Sequence, residues 1–549
     1  MAQGPVQPLT QSPDPVTRIL NAPKTLTLLV LIGVALRVWA YAGNTALYLD
    51  EILLSHSILN IPMKELLTQP LPLDQVAPLG FLFIERLCVV LLGGSELVLR
   101  LFPFLVSLIS VLLFRRLAEH TLAGTAPALA LFLFSVGFPF IRYAATVKQY
   151  ELDATVAILL LLIAVELRTR PATSRKLLLY GLVGFVLIWF SQGSVLVMAG
   201  LGLALAVDWL SSRSVESQRA LLFTIPLWAA ASLVAVLMGF RSMTPSTRQF
   251  MNEFWGGGFA PSPLHVPAFL TWLWKSALEF FSDPTLLRYR WPVVFVLISL
   301  LGVAALWRQK RSVALLLLGP FVLALLAAIA HQYPFRGRLA VWSVPFAILA
   351  LAAGAEFIGA NLARAHYLAG AAAIVLILVV PVLALAEAPP PYEIDRPREL
   401  LGYLQQHRKP GDVVYVFPPP GVATRFHGPR FGLARQEWTI SACDRNETRP
   451  YIKDIDRFRG TPRFWILMGG GVAFGPARSA VSQYLSTIGT KLDSLSLSSA
   501  TYGTVGIELY DLSDPARLGQ ATADSFPAPT ISSDPRPGCR PWIRQWPGE

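Results

Sequence analysis

Charge is scarce in this sequence. Of its 549 residues only 15% are Asp, Glu, Lys or Arg, whereas 54% are hydrophobic and the mean hydropathy is +0.52. That leaves too few polar side chains to cover a soluble protein of this size, so a water-soluble globular chain is excluded and a polytopic membrane protein is expected. Cysteine is scarce as well. Cys88 lies in an apolar run, while Cys443 and Cys539 fall in the polar C-terminal region, where an oxidising compartment would allow them to pair. There is no evident internal repeat and no long low-complexity tract. The net charge of +12 does not indicate a nucleic-acid partner, because the basic residues form short clusters between apolar runs, the pattern that membrane topology produces.

Apolar runs long enough to cross a bilayer, about 17–25 residues, occur near 25–42, 97–114, 122–140, 152–166, 177–192, 194–210, 221–239, 291–307, 313–330, 339–358 and 367–387. They predict a mainly α fold, a transmembrane helical bundle of about 11 spans over residues 25–388, behind a tail at 1–24. The first run ends in Ala40-Tyr41-Ala42, which resembles a signal-peptidase site, but the run's length and the spans after it favour an uncleaved anchor. Basic clusters at Arg115-Arg116, Arg168 to Lys176, Arg213 to Arg219, Arg308 to Arg311 and Arg364 fall on one side if the runs alternate. The positive-inside rule makes that side and the N-terminus cytoplasmic. The outer loops are then 43–96, 141–151, 240–290 and 331–338. Residues 78–94 are apolar too, but carry Glu85 and Arg86 at their centre, and counting them as a span would invert every later cluster. They are expected to lie in the outer interface with that pair bonded to itself. Arg100, at the start of a span, is expected to snorkel. After Pro389-Pro390-Pro391, helix-like and strand-like segments alternate, predicting a small α/β extracytoplasmic domain over 389–549.

Chemistry is sought where polar residues gather against these trends. Tyr48-Leu49-Asp50-Glu51 puts adjacent carboxylates just beyond the first span. Taken alone they read as a wet loop or a helix N-cap before Ile52–Ile58. Two other outer loops oppose the charge rule of their face. Arg142 to Asp153 carries Arg142, Lys148, Glu151 and Asp153, and His331 to Arg338 carries Arg336 and Arg338. Arg142 and Lys148 either pair with Glu151 and Asp153 or bind an anionic headgroup or phosphate. His56 and Asp74 could together supply nitrogen and oxygen ligands to a divalent metal cofactor. Gly256-Gly257-Gly258 would allow a flexible loop over a site.

The acid pair after the first span, a Pro-Leu interfacial helix, Gly94-Ser95-Glu96-Leu97-Val98-Leu99-Arg100-Leu101, Phe114-Arg115-Arg116-Leu117, Lys148-Gln149-Tyr150 and Tyr333-Pro334-Phe335 occur here in an order that resembles the GT-C glycosyltransferases. The order is most similar to the bacterial branch related to protein O-mannosyltransferases and to the aminoarabinose transferases of lipid A. The resemblance covers residues 25–390 and implies an enzyme of the bacterial inner membrane. That enzyme would transfer a sugar with inversion from a polyprenyl-phosphate donor to an extracytoplasmic acceptor: a glycolipid, an envelope polysaccharide or a protein hydroxyl. It implies Asp50 as general base, with Glu51 and Asp153 as further acids and Lys148, Arg336, Arg338 and Arg142 on the donor phosphate. Tyr48, Tyr150 and Tyr333 would position substrate. Tyr150 stands where relatives have an acid. The rival readings are a lipid or polysaccharide transporter, which would need polar residues lining a path through its spans, and a non-catalytic envelope scaffold.

Overall fold

The computed structural model describes residues 15–444, 447–469, 471–499, 503–527 and 546–547. The fold is mainly helical, with one small sheet near the C-terminus. Seven helices are long and apolar enough to cross a membrane: Pro23–Ala42, Leu101–Thr121, Ser194–Ser212, Pro292–Gln309, Arg311–Ile329, Gly337–Arg364 and Leu368–Glu387. Two bent pairs raise the number to nine, Ala126–Val136 with Phe138–Ala144 (45°) and Val215–Phe223 with Ile225–Gly239 (41°). Each bend has a local cause, since Pro139 and Pro226 open the second helix of their pair and cannot continue the helix before it. The two remaining predicted spans are helical but do not reach that standard. Tyr150–Thr169 contains Glu151, Asp153, Glu166 and Arg168, and Ser174–Leu187 is only 14 residues long.

Small residues let the helices close on one another. The helices Pro292–Gln309 and Val344–Ala365 cross at Gly302 and Gly354, where a Cβ on Gly302 would run into the Ala350 carbonyl. The helices Ser194–Ser212 and Arg311–Ile329 meet at Gly200 and Gly319 in the same way. Between apolar helices in lipid, this backbone contact replaces the hydrophobic drive that water would supply.

The Leu79–Leu92 segment is a separate 14-residue helix with Val90, Leu91 and Leu92 exposed. Its expected internal ion pair does not form. Arg86 instead donates to the carbonyls of Ile58 and Leu59, both at 2.7 Å, closing the C-terminus of the Leu49–Asn60 helix. Glu85 is turned inward and fully buried.

The C-terminal region carries a five-stranded sheet: β1 Val413–Val416, β2 Thr439–Ile440, β3 Phe464–Gly469, β4 Thr490–Ser499 and β5 Gly503–Asp511, in the order β2-β1-β3-β5-β4. The β2, β1 and β3 strands run parallel, and β5 and β4 join antiparallel. The helices Pro397–His407 and Gly471–Ile488 cover the sheet, each contributing residues to one of its two hydrophobic cores. The β4 strand alternates Leu495 and Leu497 with Ser494, Ser496 and Ser498 at a period of two. Cys443 is disulfide-bonded, Cys88 is free, and the expected partner Cys539 lies outside the described residues.

Candidate active site

The Leu49–Asn60 helix begins at the exit of the first spanning helix. Tyr48, in extended conformation, is the residue before its first turn, and Asp50 and Glu51 lie within that turn, where free backbone N–H groups favour carboxylates. Asp50 is therefore not the cap. Successive helical residues are turned by about 100°, so the two carboxylates serve different surroundings.

Glu51 faces the protein interior and not water. It accepts from Arg100 Nε at 3.0 Å and Arg100 Nη2 at 2.8 Å, a two-pronged pair in which both side chains are 2% exposed. It also takes Val147 N at 2.8 Å and Tyr48 N at 3.4 Å. Arg100 additionally donates to the Thr45 carbonyl at 2.6 Å. It does not snorkel. It joins the segment before Asp50 to the turn that carries Lys148.

Asp50 faces outward and remains partly accessible. Arg338 Nη2 meets its Oδ2 at 2.6 Å. Burial alone would raise the Asp50 carboxyl, but Arg338, Lys148 and Arg142 outweigh it and hold the group below the usual carboxylate range. Lys148 donates to Gln75 Oε1 at 2.7 Å, and burial, opposed by Asp50, pushes its ammonium down to about 8. The Arg142 guanidinium lies over the rings of Tyr48, Phe138 and Tyr143, 5.6–5.9 Å from their centroids. Arg338 is similarly seated over Trp255. Three cations thus act on one carboxylate, with Arg338 in direct contact.

Four segments expected in the outer loops supply these groups, and they meet at one end of the bundle. Residues 43–96 give Tyr48, Asp50 and Gln75, 141–151 give Arg142 and Lys148, 240–290 give Trp255, and 331–338 give Arg338. The 240–290 segment is also tied in where Tyr143 donates to the Thr285 carbonyl at 2.9 Å.

Other expected site residues lie elsewhere. Arg336 pairs with Glu279, its Nε 3.1 Å from Oε2. Arg142 does not pair with Glu151 or Asp153. The kinked Phe138–Ala144 helix carries it, and both acids lie within the next helix. Glu151 accepts from Ser110 at 2.8 Å and Asp153 from Ser191 at 2.6 Å. Tyr150 packs on Tyr143 with centroids 4.9 Å apart, near Asp50, whereas the Tyr333 hydroxyl is committed to the Leu339 carbonyl at 2.9 Å. The Tyr48 hydroxyl is buried with no bonded partner among the described residues. His56 bonds Asn60 and Trp546, and Asp74 accepts from Ser246. Among the described residues no three His, Cys, Asp or Glu side chains gather as a metal site. The Gly256–Gly258 turn is clamped, with Phe335 N donating to the Gly258 carbonyl at 2.9 Å and Trp272 Nε1 to that of Gly257 at 3.0 Å.

Gln75, Trp255 and the Glu51–Arg100 pair are the contributors that sequence reasoning missed. Arg100 stands inside the Gly94 to Leu101 motif, but nothing local marks it or Trp255 as belonging with Asp50.

No family model and no curated protein matches the sequence. Solved structures do show likeness. An oligosaccharyltransferase of Archaeoglobus fulgidus in complex with zinc and sulfate is 12% identical with a TM-score of 0.43, covering 72% of this chain and 60% of its own. ArnT from Cupriavidus metallidurans bound to undecaprenyl phosphate is 14% identical with a TM-score of 0.39, covering 89% and 98%. The arabinofuranosyltransferase AftD from Mycobacteria is 14% identical with a TM-score of 0.38, covering 90% and 40%. Across four structures of the archaeal enzyme the chain spans 60–74% of its length. At this level of likeness, function is argued from the residues of the site.

Proposed function

We propose that this protein is a membrane glycosyltransferase that moves a sugar from a polyprenyl-phosphate donor to an acceptor on the outer face of a bacterial inner membrane. The observation that carries this reading is an accessible, ionised Asp50 facing Arg338, Lys148 and Arg142. A carboxylate in that setting suits a general base, and the cations suit a departing phosphate.

In the resting site Arg338 holds Asp50. A donor phosphate, with more charge and more acceptor oxygens, competes for the Arg338 fork and for Lys148. Its arrival releases Asp50 to an acceptor hydroxyl. The hydroxyl oxygen then attacks the anomeric carbon from the face opposite the phosphate, and its proton passes to the Asp50 carboxylate. A carbon–oxygen bond to the acceptor forms as the bond to phosphate breaks, and polyprenyl phosphate leaves with the electron pair, its charge held by Arg338 and Lys148. Inversion follows from the in-line geometry. Glu51 and Arg100 hold the two loops in register, and Arg142 adds positive potential from its seat among the aromatic rings. Asp153 is a positioning group behind Tyr150, and Arg336, engaged with Glu279, lies outside the clamp. A pure transporter has no need for a base poised against a phosphate clamp.

Binding of polyprenyl phosphate to the purified protein in lipid nanodiscs tests the clamp. Losing a charge-assisted bond of about 1.5–3 kcal/mol, Arg338→Gln should weaken binding about tenfold to a hundredfold, and Arg336→Gln should change it less than threefold. Equal affinities in the two variants would remove the clamp.

A further inference from the structure

The backbone leading into the acid pair is held from the far end of the chain. Leu47 N donates to Glu96 Oε2 at 3.2 Å, the Leu47 carbonyl accepts from His427 Nε2 at 3.3 Å, and the Asn44 carbonyl accepts from Arg398 Nη1 at 2.6 Å. Because a carbonyl only accepts, the proton of His427 is on Nε2. Glu96 is 3% exposed and is itself the meeting point. Arg398 Nη2 reaches its Oε2 at 2.6 Å, the Arg430 guanidinium takes Oε1, and His427 Nδ1 stands 3.8 Å from Oε1. Arg398, His427 and Arg430 all belong to the C-terminal domain. Val422, from the helix Pro418–His427, packs in the same apolar cluster as Ile52 and Leu53 of the helix that carries Asp50.

Contacts that merely docked one domain on another could end on any side chains. Here they converge on main-chain atoms of Asn44 and Leu47, just ahead of Tyr48 and Asp50. A displacement of about 1 Å at a reacting group can cost about a hundredfold in rate.

We infer that Arg398, His427 and Arg430 are positioning residues of the C-terminal domain, acting through Glu96 and the Asn44–Leu47 backbone to hold Asp50 in place for transfer. The inference rests on reading Asp50 as the base. It gives the C-terminal domain a part in the reaction that acts through the backbone ahead of Asp50. Glu96 gathers the two arginines on a single buried carboxylate, so loss of both leaves that charge uncompensated and frees the segment.

The test uses the full chain, reconstituted in lipid, with a polyprenyl-phosphate sugar as donor. The double variant Arg398→Gln, Arg430→Gln should lower kcat at least tenfold, while the dissociation constant for polyprenyl phosphate rises no more than threefold, because Arg338 and Lys148 are untouched. The acid limb of its kcat/KM profile should rise toward the ordinary carboxylate range as Asp50 moves away from Arg338, Lys148 and Arg142, the charged groups that face it. A structural weakening would reduce the amount of active protein but leave that limb in place. A double variant with wild-type kcat and an unmoved limb overturns the inference. If the double variant does not accumulate, Arg398→Lys, which keeps the charge but cannot make both bonds, carries the same readouts. A wild-type result there overturns it equally. Asp50→Asn is assayed in parallel. Full activity in that variant removes the base itself, whereas an inactive Asp50→Asn beside a normal double variant removes only the positioning role.

Discussion

At the scale of single residues, adjacent carboxylates in one helical turn have opposite roles. Glu51 is enclosed with Arg100, and Asp50 is left to the accessible side with Arg338. Removing one partner of a buried, hydrogen-bonded pair strands the other charge, at a cost of about 3–5 kcal/mol. Arg100→Leu should therefore lower the thermal midpoint in detergent by several degrees, and Glu51→Gln, which keeps an acceptor, should do so less. Equal midpoints for wild type and Arg100→Leu would contradict the pinning role. Protonation gives a second test. Lys148 carries its charge below about 8 and loses it above, so capture of an anionic donor weakens as pH rises through that value. Asp50 stays ionised down to below the usual carboxylate range. The kcat/KM profile, which reports the free enzyme, should have its alkaline limb near 8 and should lose that limb in Lys148→Arg. The acid pair and the out-of-place bases are legible in the sequence because they break composition trends. The division of work between Asp50 and Glu51 is not, since it depends on Arg100, 49 positions away, and on Val147, 96 away.

At the scale of elements, packing and proline placement explain where the sequence reading holds and where it slips. Apolar runs mark the helices because lipid demands them, and helices occur in the structure at each predicted run. The ends move, however. Phe138–Ala144 resumes as a helix after the bend at Gly137, so Arg142 lies on a helix face among aromatic rings and not in a loop. Likewise the Tyr150–Thr169 helix draws Glu151 and Asp153 inside, away from the pairing with Arg142 that their spacing suggests. The strands β2 and β4 leave little trace in the sequence, because β2 has only two residues and so no period, and the alternation of β4 is serine-rich and interrupted between Lys491 and Asp493. Helix contact through glycine makes its own prediction. Gly302→Leu would force its side chain into the backbone of the Val344–Ala365 helix, which continues from the turn that bears Arg338. It should reduce the amount of folded protein recovered from membranes, measured by size-exclusion chromatography, and recovery at the wild-type level would contradict the close crossing.

At the scale of the whole molecule, distant segments of the chain converge at one end of a helical bundle. The segment after the first helix supplies the acid, the turn before the Tyr150–Thr169 helix supplies Lys148, and the entry to the Val344–Ala365 helix supplies Arg338. The C-terminal domain holds the first of these through Glu96. No single segment reads as a catalytic motif, which is why the order of short motifs along the sequence carried more than any one of them. The proposal that this convergence transfers sugar is tested most directly by the rate of transfer from a polyprenyl-phosphate sugar to acceptor in membranes holding equal amounts of wild-type and Asp50→Asn protein. A general base contributes about 10²–10⁴-fold, so the asparagine variant should lose at least a hundredfold in rate while still binding polyprenyl phosphate. Transfer at the wild-type rate in Asp50→Asn would contradict the assignment of the base.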